Sequence, residues 1–461
     1  MMTRYQFTMH TFGCKVNTYD SGLLQSRLKN QEASSSSASS SMDTPRVHIL
    51  NTCAVTAEAS REAAKLARRI KAREPLATVV VTGCGAQVDG EVFDQLTAAD
   101  LIIANSHKGQ LERILDQYFK GNIESKVFRS NIFRKDDLEA GGGTEEGHTR
   151  VFLKIQDGCN SFCTYCVIPF ARGKSRSIPM RELVGRINEL ASAGEVVLTG
   201  VHIADYEDKV GGRTFLLHDL VAEVLEKTQV ARIRLTSLEP GELTPEILKL
   251  FRSERMCPHF HMSIQSANTR VLAAMRRKYD AQAVEDSLNA IAEVVPGAFV
   301  GIDVIAGFPG ETDEEFAETY ERLARLPWTR LHVFPYSERP GTKAAAFEGV
   351  VTRELRMLRS QRLRELSAER FAAQAAKKLG QESLSMVLKA GFQNTRVDTL
   401  TRDYWPVRIV GVNGNEEGFS NDDLHYLATR AGKEVRVKII GFKQSERMEG
   451  VLLGHWMREN A

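Results

Sequence analysis

The sequence predicts an α/β chain in three parts: an N-terminal doubly wound parallel sheet, a central partial (β/α)6 barrel, and a small C-terminal β-barrel. Three observations carry this. Over residues 1–120, β-branched runs alternate with amphipathic helical stretches. Between 148 and 345, strand-like runs recur, each closed by polar or glycine residues. Beyond 380 the pattern changes to short strands and turns.

In the first part, Tyr5–Met9, Val47–Leu50, Thr78–Val81 and Leu101–Ala104 read as buried parallel strands. Tyr19–Leu28, Ala57–Ala72 and Leu111–Tyr118 carry helical periodicity between and after them. The polar run Ser34–Ser41 reads as a disordered surface insert. Residues 121–147, acidic and containing Gly141-Gly142-Gly143, read as an interdomain linker. The second part, 148–379, has strand-like runs at Val151–Ile155, Val196–Leu198, Ile233–Leu235, Phe260–Ile264, Val300–Ile305 and Leu331–Phe334. That is six βα units rather than eight. Thr312 and Glu315 have capping-box spacing, and Arg353–Lys378 reads as a long basic helix. In the third part, 380–456, strands are expected at Leu384–Leu388, Trp405–Val410, Val435–Ile440 and Glu449–Leu453, with turns over Gly411–Gly418.

A formal net charge of +2 on 461 residues gives no global basic field, so any nucleic-acid contact must be local. No run of about 18 apolar residues exists, so no membrane span is expected. Met1–Phe12 reads as a strand rather than a signal-peptide core, and a cytoplasmic protein is expected. Seven cysteines in a large chain of this class are not a disulfide framework.

Cys159-Asn-Ser-Phe-Cys163-Thr-Tyr-Cys166 places three thiols on one short loop directly after a barrel strand. Three thiolates can hold three irons of a [4Fe–4S] cluster and leave the fourth open to a small molecule. A zinc knuckle and a set of buried free thiols are the competing readings. Zinc needs four nitrogen or sulfur ligands, and no histidine stands close in sequence. Cys14, Cys53 and Cys84 each end a strand of the first part. Parallel strands put these ends along one edge, so three thiolates can converge at a topological switch point. One such cysteine alone would be a small buried residue; the triple repetition argues otherwise.

The loop spacing resembles the signature of the radical S-adenosylmethionine superfamily, with Tyr165 at its usual aromatic position. Both cysteine sets together resemble the methylthiotransferase family over nearly the whole chain. The matching segments are Thr11–Asn17, Asn51–Thr56, Gly158–Asn160, Pro169–Arg172, Gln265-Ser266 and Gly307–Thr312. The resemblance implies two [4Fe–4S] clusters and S-adenosylmethionine as cofactors. Cys14, Cys53 and Cys84 would hold the sulfur-donor cluster, and Cys159, Cys163 and Cys166 the radical-generating one. Cys14-Lys-Val-Asn17, Phe152–Gly158 and Leu331–Tyr336 resemble the branch acting on N6-threonylcarbamoyladenosine-37 of tRNA. The sister branches act on isopentenyladenosine-37 of tRNA or on an aspartate of a ribosomal protein. A rival of another class is an RNA-binding or redox-sensing protein with a structural cluster. A structural cluster, however, gains nothing from an open iron. The implied partners are a tRNA anticodon loop and an electron donor such as flavodoxin or ferredoxin, with no membrane.

Thr199-Gly200, Ser237, Glu239, Gln265 and Asp303 sit at or just past expected strand ends, where related enzymes contact the cofactor; each is equally compatible with a turn or cap role. Three basic clusters are candidate RNA contacts: Arg61, Lys65, Arg68, Arg69 and Lys71; Arg276-Arg277-Lys278; and Arg353, Arg356, Arg359, Arg362 and Arg364. Interleaved glutamates make a solvated helix face a competing reading for the first and third. The C-terminal barrel resembles the TRAM module, an OB-like RNA-binding domain. Its Tyr404, Trp405 and Phe442 are read as core rather than as stacking platforms. Cys257 is expected to be a buried thiol without a partner, and His202 and His332 to be packing or hydrogen-bonding residues.

Overall fold

The computed structural model describes residues 5–34, 44–134, 149–190, 193–389, 397–412, 423, 426–427, 429–443 and 447–453. The serine-rich insert beyond residue 34, residues 135–147 of the expected linker and most of the turn region 411–418 lie outside these.

The N-terminal sheet consists of β1 (Gln6–Thr11), β2 (Arg46–Thr52), β3 (Thr78–Gly83), β4 (Leu101–Ala104) and β5 (Val127–Phe128), all parallel. Successive side chains on a strand point to opposite faces. Ile49, Val80, Leu101 and Ile103 therefore pack on α1 (Lys15–Ser34), while Leu50, Val79, Val81 and Ile102 pack on α2 (Ala57–Arg73). Thr56 caps α2 by accepting from the Ala59 amide at 3.3 Å. Helices thus cover both faces, as a doubly wound sheet requires. The strand order is nevertheless sequential, β1 to β5, with no order reversal. The convergence of the cysteine loops comes from adjacency of neighbouring strands, not from a switch point. Val127–Phe128, expected within the linker, instead adds the fifth strand.

Short α3 (Cys84–Val88) and α4 (Gly90–Phe93) follow β3, and α5 (Leu111–Phe119) covers the α1 face.

The central strands are β6 (Arg150–Lys154), β9 (Glu195–Thr199), β12 (Ile233–Leu235) with its continuation β13 (Ser237–Leu238), β14 (His259–Gln265), β15 (Phe299–Ala306) and β16 (Arg330–Pro335). They run parallel in chain order with β6 and β16 at the outer edges. All six expected units are present. The intervening pair β7 (Gln156–Asp157) and β8 (Arg176–Ser177) frames the cysteine loop and α6 (Ile168–Arg172), and β10 (Glu207–Val210) and β11 (Arg213–Leu216) form a side hairpin. Tyr19 and Leu23 of α1 belong to the central apolar core, so the first two parts share packing. The Thr312–Glu315 capping box forms, with both reciprocal bonds near 3 Å.

The C-terminal strands β17 (Glu382–Val387), β18 (Val397–Thr401), β19 (Pro406–Val412), β20 (Glu434–Lys443) and β21 (Arg447–Leu452) close into a barrel in the order β17-β18-β19-β21-β20. Trp405 is in its core and Tyr404 and Phe442 pack against it, with Phe299 and Phe371 of the central part. No helix among the described residues is long and apolar enough to cross a membrane.

Packing corrects the reading of the long helix Arg353–Ala376. Arg359 is buried and bonds Glu311 and Asp313 at 2.8 and 2.7 Å. Arg356 bonds Glu338, Arg364 the Val333 carbonyl, and Arg362 lies over Phe316 and Tyr320. These guanidiniums hold the helix against the central part and are not a free phosphate-binding row.

Candidate metal centres and cofactor cleft

The first thiol set is built by strand register. Thr11 pairs with Asn51, and Thr52 with Gly83, so the three loops leave the sheet side by side. Asn17 donates to the carbonyls of Phe12 and Thr52 at 2.9 Å each, and Asn51 donates to the Asn17 carbonyl at 3.0 Å. The motif asparagines therefore lock two loops to each other. Gly13 has φ +87°, and a Cβ there would collide with Cys53 Sγ. Cys14 is exposed, whereas Cys53 and Cys84 are buried. Burial above all, with the neighbouring Cys14 and Cys84 adding to it, pushes the Cys53 thiol up to about 12. Burial also raises Cys84, against the opposing pull of Arg172. Asn105 Nδ2 donates to Cys84 Sγ at 3.5 Å and to the Ala171 carbonyl at 2.9 Å, bridging the two parts.

The second set lies on the loop between β7 and α6. Gly158 has φ +78°, and a side chain there would strike the Lys174 carbonyl. Thr164 holds the loop, its hydroxyl donating to Ala274 O at 2.9 Å. Cys166 is pushed up to about 12 by burial, with Cys163 and Cys159 adding to it. Cys163 is raised by burial and opposed by Arg277, whose Nη1 is 3.5 Å from its sulfur. Tyr165 packs against the small cluster of Phe308, Tyr336 and Met275.

Neighbouring thiols add to the proton affinity of Cys53 and Cys84 in the first set and of Cys163 and Cys166 in the second. A cation replaces those protons and relieves the mutual repulsion, so both sets fit iron held by thiolates. Three thiols stand in each, which suits clusters with one open iron. Anaerobically reconstituted protein is expected to hold about eight irons per chain. Iron and sulfide assays giving half that amount would remove the first set from the scheme.

The residues expected to contact the cofactor are placed unequally. Gly200 follows β9, and a Cβ there would press the Gln156 carbonyl at 2.9 Å. Ser237 opens β13, and Gln265 ends β14 with φ +65°. Glu239 pairs with Arg277. Asp303 is not at a strand end: it lies within β15, accepting from His261 at 2.8 Å and Ser263 at 3.2 Å. Arg277, expected as an RNA contact, is also committed, to Glu239 and the Ser263 carbonyl.

His202, read from the sequence as a packing or hydrogen-bonding residue, makes polar contacts in the cleft. Its Nδ1 lies 4.0 Å from Cys159 Sγ and 3.2 Å from Asp205, and its Nε2 contacts Glu242. Burial disfavours its charge, but Asp205, Cys159 and Glu242 outweigh this and raise its proton affinity far above the usual histidine range. Only its place two residues after Gly200 signalled this. Cys257 is buried near Glu195, as expected.

Between the sets lies a buried ionic knot. Arg172 bonds Asp157 at 3.0 Å, Asp20 at 3.2 Å and Asn17 at 2.7 Å. Lys154 bonds Asp20 at 2.7 Å and Asp157 at 3.1 Å, and Lys108 bonds Asp20 at 3.2 Å. Asp157 stands two residues before Cys159 and Asn17 three residues after Cys14, so one thiol loop of each set adjoins this charge network.

Comparison with known proteins accords with this geometry. Residues 153–323 match the family described as Radical SAM superfamily, and residues 6–104 the Uncharacterized protein family UPF0004. The chain is 38% identical over 386 residues to the Threonylcarbamoyladenosine tRNA methylthiotransferase MtaB of Aquifex aeolicus (strain VF5), covering 82% of this chain and 92% of that protein. It is 34% identical over 443 residues to the protein of the same name from Bacillus subtilis (strain 168), covering 94% and 93%. The fold is similar to that of the radical S-adenosylmethionine methyltransferase TsrM from Kitasatospora setae, solved with cobalamin and a [4Fe-4S] cluster bound. The TM-score is 0.54 at 13% identity, over 75% of this chain and 77% of that one.

Proposed function

Because this chain belongs to the MtaB family of radical S-adenosylmethionine methylthiotransferases, we infer that it adds a methylthio group to C2 of N6-threonylcarbamoyladenosine at position 37 of tRNA. The observation that carries this reading is the pair of three-thiol sets tied together through Arg172 and Asn105. Cys159, Cys163 and Cys166 would hold one [4Fe–4S] cluster, and Cys14, Cys53 and Cys84 the other. When bound, these clusters and S-adenosylmethionine supply the electron, the radical-forming reagent, the sulfur and the methyl group.

The chain's own residues bind, orient and exclude. Gly200 lets a ligand approach the end of β9 without a side chain in the way. Ser237, Glu239, Gln265 and Asp303 offer polar groups to the amino, carboxylate and ribose groups of S-adenosylmethionine. Arg277 holds Glu239 in place and donates toward Cys163 Sγ. His202, bridged by Asp205 and Glu242, carries a proton beside Cys159. Tyr165 and Cys166, both partly buried, restrict water's access to the rear of the loop.

The anticodon loop is the RNA segment recognised, and Lys65, Arg68 and Arg69, exposed on α2, with the exposed Arg276, Lys278 and Arg353, are basic residues available to meet its phosphates. A flavodoxin or ferredoxin supplies the electron, and the reaction takes place in the cytoplasm. Mass spectrometry of tRNA nucleosides from a deletion strain tests the reading. The methylthio form of threonylcarbamoyladenosine is expected to vanish and its precursor to accumulate. An unchanged nucleoside profile sinks the assignment.

A further inference from the structure

A second polar cluster lies beside the first thiol set, where α1 packs against the central sheet, and its charges do not balance. Lys15 immediately follows Cys14 and opens α1. Among the described residues its ammonium makes no hydrogen bond or ion pair, and it lies within electrostatic range of Tyr404, Arg150, Arg234 and Asp303. Arg150, the first residue of β6, has a buried Nη1 with no hydrogen-bond partner among the described residues. The carboxylate nearest to it, Glu195, is 3.8 Å away and already bonded twice by Arg234 at 2.8 Å and once by Arg232 at 2.9 Å. Asp303 is likewise engaged, by His261 and Ser263. Tyr404 lies under both guanidiniums, 5.7 Å from Arg150 and 4.8 Å from Arg234.

Lys15, Arg150 and Arg234 therefore outnumber the carboxylates that face them. A partly buried cation that has no carboxylate, or only one shared with other guanidiniums, is under-neutralised, and chains retain such groups where a ligand completes them. The missing partner is an anion. It must be reached from beside Cys14, hence from a substrate presented to the first thiol set. Threonylcarbamoyladenosine carries a free carboxylate and a hydroxyl on its N6 substituent; unmodified or isopentenylated adenosine carries neither.

We propose that Lys15 and Arg150 form a carboxylate-binding pocket that takes the threonyl carboxylate of the substrate base and so selects this base among adenosines. The inference rests on the substrate reading above and adds the residues that discriminate. His261, stacked on His332 at 5.2 Å, is bonded to Asp303, whose charge acts on Lys15.

The test uses the reconstituted full-length protein and synthetic anticodon stem-loops, read by fluorescence anisotropy. One stem-loop carries threonylcarbamoyladenosine, a second the same base with its carboxylate converted to the neutral amide, and a third isopentenyladenosine. Wild-type protein is expected to bind the first about tenfold or more tighter than the second, the worth of one charge-assisted contact. Lys15→Gln and Arg150→Gln are expected to erase that difference, and Lys15→Arg to restore most of it. Equal wild-type affinity for the acid and the amide overturns the pocket, with no variant needed. If the acid is still methylthiolated in that case, the substrate reading survives without the pocket. If wild type prefers or modifies only the isopentenyl stem-loop, both fall together.

Discussion

Replacing Cys159 by alanine is expected to abolish 5′-deoxyadenosine formation and methylthiolation together, while Cys53→Ala ends methylthiolation and spares part of the 5′-deoxyadenosine. The two thiols belong to different sets, on different parts of the chain, with different surroundings. Cys159 Sγ faces His202 and the ends of β9 and β13, where the cofactor contacts are proposed. Cys53 sits under Gly13, among the loops of the N-terminal sheet. Each variant should lose about four of the roughly eight irons, since a four-iron cluster held by two thiolates is not retained. Chromatography of the nucleoside products and iron assays on the same preparations give both readouts. Equal loss of both activities in the two variants would mean that the sets do not act separately.

Arg172→Met carries the largest expected effect on stability. Burial alone would raise Asp20 and Asp157, but Lys154 and Arg172, joined at Asp20 by Lys108, hold both well below the ordinary carboxylate range. Removing Arg172 strips two buried carboxylates of a bidentate cation, at a cost of about 3–5 kcal/mol. The thermal midpoint should fall by several degrees, and Arg172→Lys should fall between the two, since an ammonium keeps the charge and loses the fork. The sign with pH is fixed by linkage. Carboxylates whose folded proton affinity is depressed stabilise fully above the unfolded value, about pH 4, and lose that contribution as pH falls below it. The gap between wild type and Arg172→Met should therefore be widest near neutrality and shrink in acid. A gap independent of pH would show that the knot contributes by packing alone.

The same knot ties the two thiol sets to each other. Asn17 and Asp20 come from the first turns of α1, Lys154 and Asp157 from β6 and β7, and Arg172 from the last turn of α6. Asn105, at the end of β4, adds a direct link from Cys84 to the Ala171 carbonyl. These bonds fix the cysteine loops relative to one another before any cofactor binds, the preorganisation that such chemistry requires.

The six central strands, the first four strands of the N-terminal sheet and all six clustered or strand-ending thiols were legible along the chain. Each rests on a local signal: continuous apolar runs for parallel strands, the 3-and-2 spacing of Cys159, Cys163 and Cys166, and a cysteine at the end of three successive strands. What the sequence could not decide were choices of partner. The arginines of the long helix read as a basic row, yet Arg359 closes on Glu311, 48 residues away, and Arg364 on Val333, 31 away. The first strands of the sheet were clear while their sequential order was not, because order is set by which edges meet and not by periodicity. Asp303 carries strand-end chemistry in sequence but sits inside β15, and β18 passed unnoticed because its run, Val397–Thr401, holds two threonines and an aspartate. The sequence alone thus determined the candidate thiols and the elements that carry them. Only the tertiary structure decided how each cation is neutralised: among the described residues Lys15 has no ion pair and Arg150 shares Glu195 with two other guanidiniums, because charge pairing depends on contacts between segments distant in sequence.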